Sequence, residues 1–239
     1  MGTGTGIWAI DFGKYVIGVD LSPIQPEWAP PSFTFEVDDL EKSWTWYEPF
    51  GFIYCRAMEG CFSDAPNMVR KIYKALKPGC YLEIGGMELP PGCDDSSVPK
   101  ELSLWKWHAL LQEAAEKLGR PLEGLGKKTR GMNEAVFVEI TRKYYILPLH
   151  SWPADPHLKE IGRWQCVNLD MGLEALSLGL LTRYLDWYKE EVLAPCAAVR
   201  EDLRNKKKPA YWKVHVVHAR KPEEKKATEG TEKATEQAV

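Results

Sequence analysis

Apolar and polar positions along the chain fall into a strand, helix, strand order. Ile7-Trp8-Ala9-Ile10 opens an apolar helical face directly after a glycine-rich start. Val16-Ile17-Gly18-Val19-Asp20 is a short apolar run closed by an acid, which predicts a buried strand. Four prolines between Ser22 and Ser32 enforce a loop. Phe33-Thr34-Phe35-Glu36-Val37 alternates and predicts a second strand, stopped by Asp38-Asp39. Residues 50–55 predict a third. Met68, Val69, Ile72, Tyr73 and Leu76 recur at helical spacing and predict a helix over 66–76, stopped by Pro78-Gly79. Residues 81–84 predict a fourth strand, and 86–99 a Pro/Gly/Asp loop. Further on, the pattern predicts helices over 102–118 and 173–191, with another running to about residue 205. Strands are expected over 135–140, 144–148 and 211–219. Strands joined through helices or long crossovers imply an α/β fold, a parallel sheet with helices on both faces. The domain is expected to cover 1–221, with a disordered Lys/Glu/Thr/Ala tail over 222–239.

Length and composition narrow the class. A chain of 239 residues fits one large α/β domain. Its 44% apolar and 27% charged residues exclude collagen, coiled coil and wholesale disorder. The longest apolar stretches are cut by charged residues well short of the roughly 20 that a membrane span needs. A net charge of −3 gives no electrostatic case for nucleic-acid binding. The chain opens without a secretory leader pattern, and its six cysteines form no C-x-x-C pair and no zinc spacing with histidine. The expectation is reduced thiols, no metal, and a cytoplasmic or nuclear protein. Ten Trp, ten Tyr and seven Phe either fill a core or line an apolar small-molecule pocket.

The chemistry gathers near the start. Gly2-x-Gly4-x-Gly6 is either a flexible linker or a loop whose main-chain N–H groups approach a ligand. An apolar strand follows and ends at Asp20, where a doubly wound sheet hydrogen-bonds a ribose. The spacing is short for a dinucleotide. A ligand with one ribose and no pyrophosphate fits, and S-adenosyl-L-methionine is such a ligand. Asp38 and Asp39 close the next strand, either as acceptors for an adenine amino group or as turn caps. Arg56 follows the third strand's carboxyl end, where open α/β sheets bind ligands, and could equally be a surface arginine.

Gly2-Thr3-Gly4-Thr5-Gly6-Ile7-Trp8-Ala9-Ile10-Asp11 and Val16-Ile17-Gly18-Val19-Asp20-Leu21-Ser22-Pro23-Ile24-Gln25-Pro26 resemble the LaeA-like or UMTA-type class I methyltransferases of fungal secondary metabolism. Phe35-Glu36-Val37-Asp38-Asp39, Cys55-Arg56-Ala57-Met58-Glu59-Gly60, Leu76-Lys77-Pro78-Gly79-Cys80-Tyr81-Leu82-Glu83 and Arg220-Lys221-Pro222 match the same group. The resemblance implies a Rossmann-like fold and S-adenosyl-L-methionine as cofactor. By matching position, Gly2, Gly4 and Gly6 form the cofactor loop, and Asp20 holds the ribose with Leu21 beside it. Asp39 or Asp38 flanks the adenine, and Arg56 lies near the methionine end. A small-molecule acceptor is implied, and protein partners are possible for a regulatory relative of this fold.

The sequence departs from the family pattern in three places. Met1 stands where the family has an apolar strand before its glycines, so the first strand is expected to be missing and the isolated chain to hold cofactor weakly or not at all. Thirteen residues separate Gly6 from Asp20, fewer than in the family. Pro209 replaces a His, and Val136 replaces the Gly of an Ala-Gly-Phe. His108 and His157 are candidate bases for a hydroxyl or enol acceptor, or ordinary polar histidines. Trp105 and Trp107 could wall an acceptor pocket or belong to the core. Glu113, Glu116, Lys117 and Arg120 read as a solvated helix face. Two other uses of such a fold stay open: a regulatory binding scaffold, and a non-methylating cyclase.

Overall fold

The computed structural model describes residues 1–13, 15–93, 102–122 and 125–224. The short helix α1 (Ile7–Phe12) leads into β1 (Val16–Asp20), which pairs in parallel with β2 (Phe33–Val37). β3 (Phe50–Arg56) pairs in parallel with β4 (Leu76–Met87), and α2 (Ala65–Ala75) makes the crossover between them. The remaining elements are β5 (Gly92–Cys93), α3 (Ser103–Lys117), α4 (Leu125–Glu134), β6 (Val138–Pro148), α5 (Pro156–Tyr184), α6 (Lys189–Arg204) and β7 (Ala210–Arg220). β7 runs antiparallel to β4 on one edge and to β6 on the other.

β1 with β2 and β3 with β4 pair in parallel as expected, whereas the carboxyl-terminal strands pair antiparallel. The strands therefore form two groups: β1-β2, and β3-β4-β7 with β5 and β6 on β7.

Helices cover both faces. Val217 and Ala219 of β7 are fully buried with Leu82 and Ile84, under Met68, Val69 and Ile72 of α2. Trp212 and Ala210 lie on the other face of the same strand, against Leu173, Leu181, Val192 and Val199 of α5 and α6. Successive residues of a strand point to opposite faces, so one strand serves both cores.

Several boundaries differ from the sequence expectation, each for a local reason. The long helix begins at Pro156, not 173. Asp155 accepts the Leu158 N–H at 2.8 Å and Pro156 sits in the first turn, a start signal that the pattern of 156–172 hides. Trp164 is 70% and Met171 78% exposed, so that half of α5 shows only a narrow buried stripe. It ends at Tyr184, and Asp186 at φ 57° turns the chain before α6. α4 has no counterpart in the sequence reading.

β6 is one strand, not two, because its polar middle lies on an outer strand that pairs only with β7 among the described residues. β4 starts at Leu76 and carries Pro78-Gly79 within it, with the Gly79 N–H donating to Lys221 O at 2.9 Å. Arg120 is not on a solvated face: it pairs with Glu41 and donates to Cys61 O, tying the end of α3 to the β2–β3 and β3–α2 connections. The expected tail lies outside the described residues from 225 on, as do residues 94–99 of the expected 86–99 loop.

Val136 follows α4 at φ 64° and is 64% exposed. Its N–H bonds to Asn133 O at 3.1 Å and that of Phe137 to Met132 O at 3.1 Å, a left-handed helix stop. A β-branched residue is strained there, and glycine is not. Val136→Gly is expected to stabilise the protein by about 1 kcal/mol. A higher urea midpoint with an unchanged slope would show it, and a lower midpoint would contradict it.

Candidate functional site

The glycine segment is a built turn, not a linker. Gly6 takes φ 80° before α1, and a Cβ there would sit 2.5 Å from the Phe35 ring, so only glycine fits. Gly4 takes φ 55°, and a Cβ there would meet nothing within 4 Å. The space above Gly4 is open to a ligand.

The loop is fixed from the β1 side. Gly4 N–H donates to Asp20 Oδ2 at 2.8 Å, and Ser22 N–H to Oδ1 at 3.0 Å. The acid predicted to hold a ribose thus also holds the glycine turn. Thr3 N–H adds a bond to Val19 O at 3.0 Å. Gln25, to which the sequence reading gave no role, donates from Nε2 to Gly4 O at 2.7 Å and to Ser22 O at 2.9 Å. The Ser-Pro-Ile-Gln run was a visible signal; that its amide reaches back across 21 residues was not. Leu21, beside Asp20, is 67% exposed.

Asp38 N–H donates to Asp20 O at 3.1 Å, so the β1 and β2 ends stand side by side. Asp38 Oδ1 accepts the Asp39 N–H at 2.7 Å, and Asp39 Oδ1 accepts that of Glu41 at 3.0 Å. Both acids therefore cap the turn, which was one of the two roles left open for them. Lys71 secures that turn from α2 by donating to Leu40 O at 2.6 Å and to Lys42 O. Burial pulls the Lys71 pKa below the usual amine value, against the opposing pull of Asp39, Glu41 and Asp38.

A cleft of about 590 Å³ opens next to this corner, between β1 and β3. Gly2, Gly4 and Arg56 line it; Gly6, Asp20, Leu21, Asp38 and Asp39 stand beside it at the strand ends. Arg56 is exposed on the β3 side, with its stem over Gly85. Aromatic rings form one wall: Trp8 stacks on Tyr54 at 3.8 Å and Phe12 on Phe52 at 5.7 Å. The Met1 amino group donates to Tyr54 O at 2.8 Å, and its burial pulls its pKa down. Among the described residues, no three His, Cys, Asp or Glu converge to hold a metal ion, and no helix is long and apolar enough to cross a membrane.

Comparison with known proteins decides the family. A methyltransferase-domain model matches residues 1–117. Over 228 residues the chain is 38% identical to methyltransferase pytC of Aspergillus terreus, covering 93% of this chain and 70% of that protein. It is likewise 38% identical to the secondary metabolism regulator LAE1 of Cochliobolus heterostrophus, covering 94% of this chain and 76% of the relative. The chain belongs to the LaeA-like family of fungal class I methyltransferases. The fold agrees with a Haemonchus contortus phosphoethanolamine N-methyltransferase 2, with TM-score 0.51, 19% identity, 93% of this chain and 47% of that one.

Neither candidate base lines the cleft. His157 is exposed in the first turn of α5. His108 is buried on α3, where its Nε2 has no hydrogen-bond partner and burial pulls its pKa down. Trp107, buried beside it, donates to Ser177 Oγ at 2.8 Å and is a core residue. Burial also lowers the pKa of His150.

A lowered folded pKa means that the unfolded chain binds the proton first. Stability is therefore expected to fall as pH drops below about 6.5, the ordinary histidine value. His108→Gln should flatten that fall in a urea series from about pH 7.5 to 5.5. An unchanged slope would show that His108 does not contribute to it.

Proposed function

We propose that this chain is an S-adenosyl-L-methionine-dependent methyltransferase of fungal secondary metabolism, acting on a small-molecule acceptor. The observation that carries the reading is the Gly4 N–H bond to Asp20 beneath open space. A carboxylate oxygen has capacity for more than one donor, so Asp20 can hold the turn and accept ribose hydroxyls together. The residues present fit the cofactor: a cradle that any side chain on Gly4 would fill, an acid at its rim, and two further acids at the next strand end.

In this reading Gly2, Gly4 and Gly6 let the main chain approach the adenosyl group, Asp20 takes the ribose, and Leu21 covers it. Asp38 or Asp39 faces the adenine edge, and Arg56 faces the carboxylate end. Bound S-adenosyl-L-methionine supplies a methyl group activated by its sulfonium. The protein's work is then to hold the acceptor in line and exclude water, which needs proximity rather than an acid for the leaving thioether. The aromatic wall formed by Trp8, Phe12, Phe52 and Tyr54 suits an apolar acceptor. A regulatory role is the second reading, favoured by the likeness to LAE1, a secondary metabolism regulator.

Photolabelling with tritiated S-adenosyl-L-methionine tests the first reading. Asp20→Asn should cut labelling by about tenfold or more, as expected for one charge-assisted hydrogen bond. Asp11→Asn, on the exposed side of α1, should not change it. Equal labelling of both variants, or none of the parent chain, would refute it, and the latter would favour the scaffold or cyclase reading.

A further inference from the structure

The acid turn after β2 is held by Lys71 on α2, by Ser63 before α2, and by Arg120 beyond α3. Glu41, two residues after Asp39, receives the last two. Its Oε1 accepts both the Ser63 N–H and the Ser63 hydroxyl at 2.7 Å, and its Oε2 pairs with Arg120. Burial alone would raise the Glu41 pKa. The Ser63 donors and then Arg120 outweigh it and hold the acid below the usual carboxylate range.

Arg120 reaches Glu41 because of how α3 stops. Gly119, at φ 76°, donates its N–H to Glu116 O at 2.9 Å, and the Arg120 N–H donates to Ala115 O at 2.9 Å. This paired stop needs a residue at ease in the left-handed region, and it turns the chain off the helix axis. The Arg120 guanidinium then donates to Cys61 O as well as pairing with Glu41. Gly60 permits the approach: a Cβ there would sit 2.8 Å from Leu122 and 3.4 Å from Arg120 O. The acid turn, the β3–α2 connection and the end of α3 thus meet on one guanidinium.

The two partners belong to different layers. Leu40, next to Glu41, is buried with Met68, Val69 and Ile72 of α2 in the first core. Leu104, Trp107 and Leu111 of α3 are buried with α5 and α6 in the second. Neither Glu41 nor Arg120 lines the cleft.

We infer that Arg120 is a positioning residue for the cofactor. Through Glu41 it fixes the turn whose Asp38 or Asp39 faces the adenine edge. The helical layer of α3, α5 and α6 thereby sets cofactor affinity without touching the ligand. The inference rests on the roles given to Asp38 and Asp39 in the proposed function. It needs the planar fork of arginine, because one lysine ammonium cannot serve Glu41 and Cys61 O in the same geometry.

The test is the S-adenosyl-L-methionine concentration that gives half-maximal photolabelling of the full chain. Arg120→Met should raise it about tenfold and Arg120→Lys about threefold, with maximal labelling unchanged in both. Arg120→Met combined with Glu41→Gln should be no worse than the poorer single variant, since both break one link. In the cofactor-free chain, Arg120→Met should quicken amide exchange at Glu41 and Lys42, both held by Asp39, at least about tenfold. Gly4, held by Asp20, should be unchanged. An unchanged half-saturation in Arg120→Met would overturn the inference and leave the cofactor reading standing. Unchanged exchange at Glu41 and Lys42, or additive losses in the double variant, would overturn it too. No labelling of the parent chain would overturn both readings together.

Discussion

The Asp20 carboxylate closes the loop between two segments that the chain would otherwise leave apart. One of its oxygens holds Gly4 and the other Ser22, and Gln25 clasps Gly4 from the carbonyl side. Each is a bond between a main-chain group and a charged or amide side chain. The glycine turn keeps its left-handed geometry because this corner over-determines it. A loop with three residues lacking Cβ has high conformational entropy and would not hold that shape unaided. The position of the ligand space and the alignment of α1 follow from where Asp20 sets Gly4.

The rest of the molecule supplies a rigid frame. β7 carries one core on each face, so the sheet from β3 to β6 is anchored by α2 on one side and by α5 and α6 on the other. Buried Asp202 links the second core by accepting the Leu104 N–H at 3.0 Å and the Lys208 ammonium at 2.5 Å. By contrast, among the described residues β1 and β2 pair only with each other. They are attached to β3 through residues 1–3, the stacked rings of Trp8 and Tyr54, and Val19, which is buried in one core with Ile53 and Cys55.

Much of this was legible in the sequence where short-range physics decides. Val16 to Asp20 and Phe33 to Val37 are strands because their apolar runs are bounded by acids and prolines. Val136 was marked as a misfit by the glycine expected there, and the structure shows the positive φ that glycine serves. Features set by distant contacts were not legible. The first half of α5 exposes Trp164 and Met171, which blurs its period. Arg120 reads as a surface residue until Glu41 is brought to it by the fold. His108 resembles an acid-base candidate in sequence, and only packing shows that it faces a core. The antiparallel β7 could not be read from strand order, because the connection through α5 and α6 permits either direction.

The claim that Asp20 and the glycine turn jointly cup an adenosyl group is tested most directly by a crystal structure of this chain with S-adenosylhomocysteine. The account predicts ribose hydroxyls within hydrogen-bond distance of the Asp20 carboxylate and the thioether over Gly4. Ligand density elsewhere, with Asp20 facing only Gly4 and Ser22, would contradict it.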